Sequence, residues 1–155
     1  MHNPFMARAI ELSIESVRSG GGGPFGAVVV KDGKFIAEGS NRVTDANDPT
    51  AHAEIVAIRE ACKKLGSFEL TDCDFYTSCE PCPMCLGAIY WARPKRVFFG
   101  NTKADAANVG FDDSFIYNEI AHAHAGRKIP MSRMMADEAI EAFRMWDAKS
   151  DKVRY

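Results

Sequence analysis

The chain has 155 residues, of which 46% are hydrophobic and 26% are charged. This length suits one compact domain, and the composition excludes a disordered or low-complexity protein. The formal net charge of -2 excludes a strong general attraction to nucleic acid or to anionic membranes. No apolar run is long enough to span a bilayer and no secretory signal is visible, so we expect a cytoplasmic protein.

The first third of the chain predicts a helix followed by a β-hairpin. Asn3-Pro4 is a typical helix start, and apolar residues then recur at helical spacing, which predicts a helix over residues 4–18. The glycine run at 20–23 ends this helix. Two β-branched apolar runs then flank Asp32-Gly33, a dipeptide that favours a hairpin turn. Residues 42–51 are polar and are expected to form a loop.

The rest of the chain alternates between helical and extended patterns. Helices are predicted over residues 52–64, 83–92, 114–121 and 136–149, and strands over residues 74–78 and 96–100. Alternation of this kind is typical of an α/β domain with helices on both faces of one sheet. No internal repeat or long linker divides the chain, so a single domain over residues 1–155 is expected.

The cysteines indicate a metal site or redox chemistry. There are five, at positions 62, 73, 79, 82 and 85, and three of them fall within seven residues. An odd number, in a chain without a visible export signal, argues against a disulfide framework.

Two predicted loop-to-helix junctions carry the residues for a catalytic metal site. His52 stands at the first junction, and Cys82 and Cys85 stand at the second. Because the two cysteines are three residues apart, their sulfurs share one helix face, and a helix N-terminus stabilises thiolates. One imidazole and two thiolates suit zinc, and three protein ligands leave the fourth position to water, as in catalytic zinc sites.

Glu54 also fits a catalytic metal site, because it follows His52 by two residues and can lie beside the metal without binding it. A carboxylate there can take a proton from water and deliver it to a leaving group. Cys79 leaves an alternative open, since Cys79, Cys82 and Cys85 together with His52 would form a closed, structural four-ligand site. A structural four-ligand site does not require a carboxylate beside an open ligand position, so Glu54 favours a catalytic zinc site.

His52-Ala53-Glu54 followed by Pro81-Cys82-Pro83-Met84-Cys85 resembles the zinc-dependent nucleobase deaminases of the cytidine deaminase-like fold. The resemblance covers most of the chain and is closest to the bacterial branch that acts on guanine, through residues 47–54, 78–92 and 110–117 and Tyr155. It implies a three-layer α/β/α fold with a mixed five-stranded sheet. It also implies hydrolytic deamination of guanine to xanthine and ammonia, with one Zn²⁺ per chain.

The resemblance further implies a role for each site residue. It makes His52, Cys82 and Cys85 the zinc ligands and Glu54 the proton shuttle. It implies substrate contacts from Phe25, Asn41, Ala53, Asp113 and Tyr155, with a catalytic part for Asp113 as well. Asn41 offers both a donor and an acceptor to a base. Capping of the helix that starts near Ser114 explains Asp113 about as well as a functional role does, and a tyrosine at a chain end is usually frayed.

The implied partners are a small purine substrate and a second copy of the chain. The guanine branch is similar to homodimers that exchange C-terminal segments, here from about residue 130. No membrane partner is expected, and nucleic acid is disfavoured because the last 15 residues hold four basic against three acidic side chains. The alternatives are guanosine or another small amidine as substrate, a tRNA adenosine deaminase with the same motifs, and a structural zinc module without catalysis.

Overall fold

The computed structural model describes residues 2–155 and divides into two compact units. The first unit ends at Asp113 and contains α1 (Pro4–Ser19), β1 (Gly26–Lys31), β2 (Lys34–Ser40), α2 (Val43–Ala46), α3 (Ala53–Leu65), β3 (Cys73–Cys79), α4 (Pro83–Ala92), β4 (Arg96–Asn101) and α5 (Lys103–Asn108). The second unit runs from Ser114 to Tyr155 and contains α6 (Ser114–Ala121), a 3₁₀ turn (His124–Gly126) and α7 (Ala136–Ala148).

The first unit is built on a mixed sheet with the strand order β2-β1-β3-β4. Strand β1 pairs antiparallel with β2 and β3, and β3 pairs parallel with β4. The prediction of five strands is therefore wrong for residues 2–155, which form four. After β4 the chain turns into helix because Thr102 and Asp105 form a capping box that starts α5 at Lys103, an element that the sequence analysis missed.

The predicted start of α1 and the predicted hairpin are both confirmed. The Asn3 side chain accepts the backbone N–H groups of Phe5 and Met6, each at 3.0 Å, which satisfies donors that have no partner within the helix. At the β1–β2 turn, Asp32 and Gly33 have φ values of 50° and 71°. Two successive positive φ angles are the geometry of the two-residue turn that this dipeptide favours.

Helices cover both faces of the sheet, as predicted. On one face, Ala27, Val29 and Phe75 pack with three alanines of α3 and with Ile89 of α4. On the other face, Val28, Val30 and Tyr76 pack with Ala9 and Leu12 of α1. Successive residues of β1 are thus buried on alternate sides, which explains why its sequence is a continuous apolar run.

A close approach between β2 and α3 sets the position of the α3 start. A Cβ atom on Gly39 would lie 2.4 Å from the backbone oxygen of Ala53, so only glycine permits this distance. The segment before α3 was predicted as a loop, and it contains the one-turn helix α2. No helix within residues 2–155 is both long enough and apolar enough to cross a membrane.

Candidate metal centre and active site

The structure brings the three predicted metal ligands together at two helix starts. His52 precedes the first residue of α3, and Cys82 precedes the first residue of α4. The Nδ1 atom of His52 lies 3.5 Å from the Sγ atoms of both Cys82 and Cys85, and the three ligand atoms lie within 4.8 Å of one another. Ordinary Zn–N and Zn–S bonds in a tetrahedral site place nitrogen and sulfur about 3.6 Å apart. The donor set and its spacing therefore fit zinc.

Cys79 stands outside this group. Its thiol donates to the backbone oxygen of Thr102 at 3.6 Å, and burial raises the pKa of Cys79 to about 11. It is absent from the set of ligand atoms that the described residues bring together. The closed four-ligand arrangement is therefore not formed within residues 2–155, and the fourth position of a metal bound by His52, Cys82 and Cys85 is left to a small molecule.

The two ligating sulfurs share one proton. A hydrogen bond from the Cys85 thiol, with a contribution from His52, lowers the pKa of Cys82 to about 4. The same hydrogen bond, together with burial, raises the pKa of Cys85. Cys82 is thus a thiolate at neutral pH and Cys85 is its proton donor. Binding of a divalent cation would release that proton, because metal ligation requires both sulfurs as thiolates.

Glu54 lies beside the three ligands, as expected of a proton carrier. It is 5% exposed, the thiol of Cys85 donates to its Oε2 at 3.5 Å, and the hydroxyl of Thr77 donates to its Oε1 at 3.3 Å. Burial, and then the negative charge of Cys82, raise the pKa of the Glu54 carboxyl. A raised pKa makes the carboxyl a better proton acceptor than an exposed glutamate, which suits general acid–base work.

Asn41 is held by its own backbone neighbourhood. Its Oδ1 accepts the backbone N–H groups of Gly23 at 3.1 Å and Val43 at 3.2 Å. Because a carbonyl oxygen has two acceptor positions, these bonds use its acceptor capacity and orient the amide. In this arrangement Nδ2 is the amide atom directed to a ligand, and the substrate contact expected of Asn41 stays a prediction.

Two aromatic rings lie next to the glycine loop that holds Asn41. The rings of Phe25 and Phe111 meet edge to face, with centroids 5.0 Å apart. A Cβ atom on Gly23 would lie 3.2 Å from the ring of Phe25 and 3.3 Å from that of Phe111. Phe111 is not among the site residues predicted from the sequence, and its place in the segment 110–117 is the one sequence signal that points to it.

The remaining predicted site residues differ in their surroundings. Asp113 ends the first unit, and burial, followed by the charge of Cys82, raises its pKa, so its carboxyl is within electrostatic reach of the thiolate. Ala53 is 0% exposed, so only its backbone can contact a ligand. Tyr155 belongs to the second unit and is 71% exposed.

Comparison with known proteins agrees with this chemistry. Residues 1–101 match the model of the cytidine and deoxycytidylate deaminase zinc-binding region. Guanine deaminase from Bacillus subtilis (strain 168) is 57% identical over 154 residues, which cover 99% of each chain. The X-ray structure of guanine deaminase from Bacillus subtilis superposes with a TM-score of 0.96, covering 100% of this chain and 99% of that one.

Two further similarities are more limited. The tRNA-specific adenosine deaminase of Agrobacterium fabrum is 47% identical over 94 residues, which cover 59% of this chain and 62% of that protein. A solved structure of a protein in complex with 8-azaguanine is 34% identical, with a TM-score of 0.67, and the match covers 70% of this chain and 63% of that one.

Proposed function

We infer, since the chain belongs to the cytidine and deoxycytidylate deaminase zinc-binding family, that it hydrolyses guanine to xanthine and ammonia. The observation that carries this function is the three-ligand site with a buried carboxylate beside it, in a chain that matches guanine deaminase along its whole length. A structural zinc module is disfavoured, because the three ligands leave a position open next to Glu54.

The extent of the similarity favours guanine over a tRNA adenosine. The matches to the tRNA-specific adenosine deaminases of Agrobacterium fabrum and Haemophilus influenzae involve 59% and 70% of the chain, whereas the match to guanine deaminase involves 99%. The near-neutral net charge also gives no general attraction for a folded RNA. The 8-azaguanine bound to a related protein is a purine analogue, which supports a small purine as the substrate.

The metal in this proposal is one zinc ion per chain, held by His52, Cys82 and Cys85. When bound, zinc acts as a Lewis acid that lowers the pKa of water toward neutrality. Two thiolates neutralise its charge, and the starts of α3 and α4 offset further negative charge. We place the protein in the cytoplasm, because a reducing compartment keeps these cysteines available as thiolates.

Glu54 carries the proton in this reaction. Its carboxylate accepts a proton from the attacking water as the water oxygen bonds to C2 of guanine and the C2=N3 π electrons move to N3. It then delivers the proton to the exocyclic nitrogen, N3 returns its electron pair to C2 as the bond to that nitrogen breaks, and ammonia leaves. Transfer of the remaining O–H proton to N3 gives xanthine. The apolar surroundings and low exposure of Glu54 keep bulk water from competing for that proton.

The purine is held by residues around the glycine loop. Asn41 donates from Nδ2 to an acceptor atom of the base, for which the O6 atom of guanine is suited and the 6-amino group of adenine is not. Phe25, braced by Phe111, packs on the ring, and the backbone of Ala53 contributes a helix-start N–H. Asp113 accepts from an N–H of the base and assists proton transfer.

The glycine loop predicts a sharp substitution test of the Asn41 contact. A Cβ atom at Gly22 would lie 2.2 Å from the backbone oxygen of Asn41 and 2.5 Å from its Oδ1. We expect Gly22→Ala to destabilise the fold by about 1–3 kcal/mol. We also expect it to raise KM for guanine by about 3- to 10-fold, which corresponds to the net free energy of one hydrogen bond. Chemical denaturation and steady-state kinetics measure the two effects.

Gly21→Ala is the matched control for this loop. A Cβ atom at Gly21 would meet only the Ser19 Oγ atom, at 3.4 Å, so stability and KM should stay close to those of the parent protein. If Gly22→Ala and Gly21→Ala had the same KM, Asn41 would not be the residue that binds the base.

We further propose that the two units act as one deaminase domain in a homodimer, with the segment from about residue 130 exchanged so that Tyr155 closes the partner's site. Each unit carries exposed apolar side chains, including Phe99 in the first and Phe143 in the second, which is a feature of protein interfaces. Mixing a Glu54→Ala chain with a chain lacking Tyr155 tests the exchange. Activity returns on mixing if the tail acts in the partner's site, and stays absent if each tail serves its own chain.

Ammonia release tests the proposed reaction directly. Zinc-loaded protein should turn over guanine, and not guanosine, adenine, cytosine, cytidine or a tRNA anticodon stem-loop. Turnover of the stem-loop alone would assign the chain to the RNA branch and leave Glu54 and the zinc ligands in place. If zinc is firmly bound and none of these compounds is turned over, the result would favour a structural zinc site.

A further inference from the structure

A buried hydroxyl on β3 contacts the proton carrier and has no part in the chemistry described so far. Thr77 is 1% exposed, and its Oγ1 lies 3.3 Å from Oε1 of Glu54 and 3.0 Å from the backbone oxygen of Cys79. The contact with Glu54 joins residues that are 23 positions apart, so it depends on the packing of α3 against β3. We propose that Thr77 is a positioning residue, which holds the Glu54 carboxyl in its productive orientation.

The position of Thr77 in the sheet supports this role. Thr77 is paired with Ala27 of β1, and directly opposed residues of an antiparallel pair point to the same face. Ala27 belongs to the apolar cluster that contains Ala53, the first residue of α3. Thr77 therefore places a polar group on a face that is otherwise packed with apolar side chains beneath the start of α3. A hydroxyl in such a place costs free energy unless it is hydrogen-bonded.

Each oxygen of the Glu54 carboxyl lies within hydrogen-bond distance of one side chain. Oε2 of Glu54 accepts from the Cys85 thiol at 3.5 Å, and Oε1 accepts from Thr77. Because zinc ligation removes the Cys85 proton, the hydrogen bond to Oε2 is lost in the zinc-loaded enzyme, whereas the contact with the rigid β-branched Thr77 side chain does not depend on that proton. The Thr77 hydroxyl has one hydrogen, which it can donate to the ionised Glu54. When Glu54 carries the proton, the hydroxyl can instead accept from Glu54 and donate to the Cys79 backbone oxygen, so a contact with Glu54 is available in both states.

Two matched variants isolate the hydroxyl. Thr77→Val keeps the shape and removes the oxygen, while Thr77→Ser keeps the oxygen and removes a methyl group. Since misplacing a catalytic group by about 1 Å costs up to about 100-fold, we expect Thr77→Val to lower kcat for guanine by about 10- to 100-fold. KM should change by less than about 2-fold, because uniform binding is untouched, and Thr77→Ser should restore kcat to within about 3-fold of the parent protein.

Ser78→Ala controls for the loss of a buried hydroxyl on the same strand. Ser78 is 3% exposed and accepts the backbone N–H of Gly26 at 3.0 Å. This variant should lower the melting temperature and leave kcat unchanged. Bound zinc, measured by elemental analysis, should stay at about one per chain in every variant, since none removes a ligand.

The inference rests on the proposed function, and the two can fail separately. A parent protein that does not deaminate guanine would reject the function. A parent protein that does, with Thr77→Val retaining its kcat and its zinc, would overturn the positioning role. If Thr77→Val does not fold, Thr77→Ala and Thr77→Ser differ only in the hydroxyl, and equal kcat values for these two would overturn it as well.

Discussion

Replacing Glu54 with glutamine is expected to lower kcat for guanine by about 10²- to 10⁴-fold, the usual contribution of a general acid–base group. The amide keeps the size of the carboxyl but cannot carry the proton from water to the leaving nitrogen. Glu54 is not among the three grouped ligands, so the variant should still bind about one zinc per chain. Steady-state kinetics and elemental analysis of the same preparation measure both quantities.

We expect Glu54→Gln to fold stably, because the Glu54 side chain is buried. The pKa of Glu54 is raised because burial disfavours the charged carboxylate, and a neutral amide does not carry that desolvation cost. Glu60→Gln, on the exposed side of the same helix, is the matched control and should leave kcat and stability unchanged. Retention of kcat in Glu54→Gln would remove Glu54 from the mechanism. Loss of zinc in it would make Glu54 a ligand.

Replacing Cys82 with serine is expected to abolish both bound zinc and activity. The substitution exchanges a thiolate, which has a pKa of about 4 here, for a neutral hydroxyl that is a poor zinc ligand. We expect zinc affinity to fall by more than about 100-fold, the upper end of the loss caused by removing a hydrogen-bond partner of a ligand. Elemental analysis after dialysis against a weak chelator measures the loss.

Cys79→Ser is the control that separates the open site from the closed one. Cys79 is three residues before Cys82, is buried, and donates to the Thr102 backbone oxygen. A serine hydroxyl can keep that hydrogen bond, so zinc content and kcat should be retained. Loss of zinc in Cys79→Ser as well as in Cys82→Ser would restore the four-ligand structural site.

Most elements of the first unit follow from local signals. The Asn3 cap, the Asp32-Gly33 turn and Pro83 at the start of α4 each act through the backbone of their immediate neighbours, so helix and strand bounds were predicted to within one residue. The elements that were missed, α2 and α5, are four and six residues long. Helices this short bury little apolar surface and show no clear periodicity, so the hydrophobic pattern could not mark them.

The number of strands was not predictable in the same way. A family resemblance implied five, but residues 2–155 form four, and the chain after β4 is taken up by a capping box and helices. Strand pairing depends on hydrogen bonds between segments far apart in the sequence, which no local pattern encodes.

The sequence by itself determined the chemistry of this protein. The types and spacing of four residues imply a three-ligand zinc site with a proton carrier: His52, Cys82, Cys85 and Glu54. Two thiolates and an imidazole are ligands that zinc prefers, and a carboxylate beside them can carry a proton. Tertiary structure alone decided how these groups are held. It directs the Asn41 oxygen to two backbone N–H groups, excludes Cys79 from the ligands and places the Thr77 hydroxyl against Glu54. The Asn41–Gly23 and Thr77–Glu54 contacts join residues 18 and 23 positions apart, which only the packing of α3 and the glycine loop on the sheet brings together.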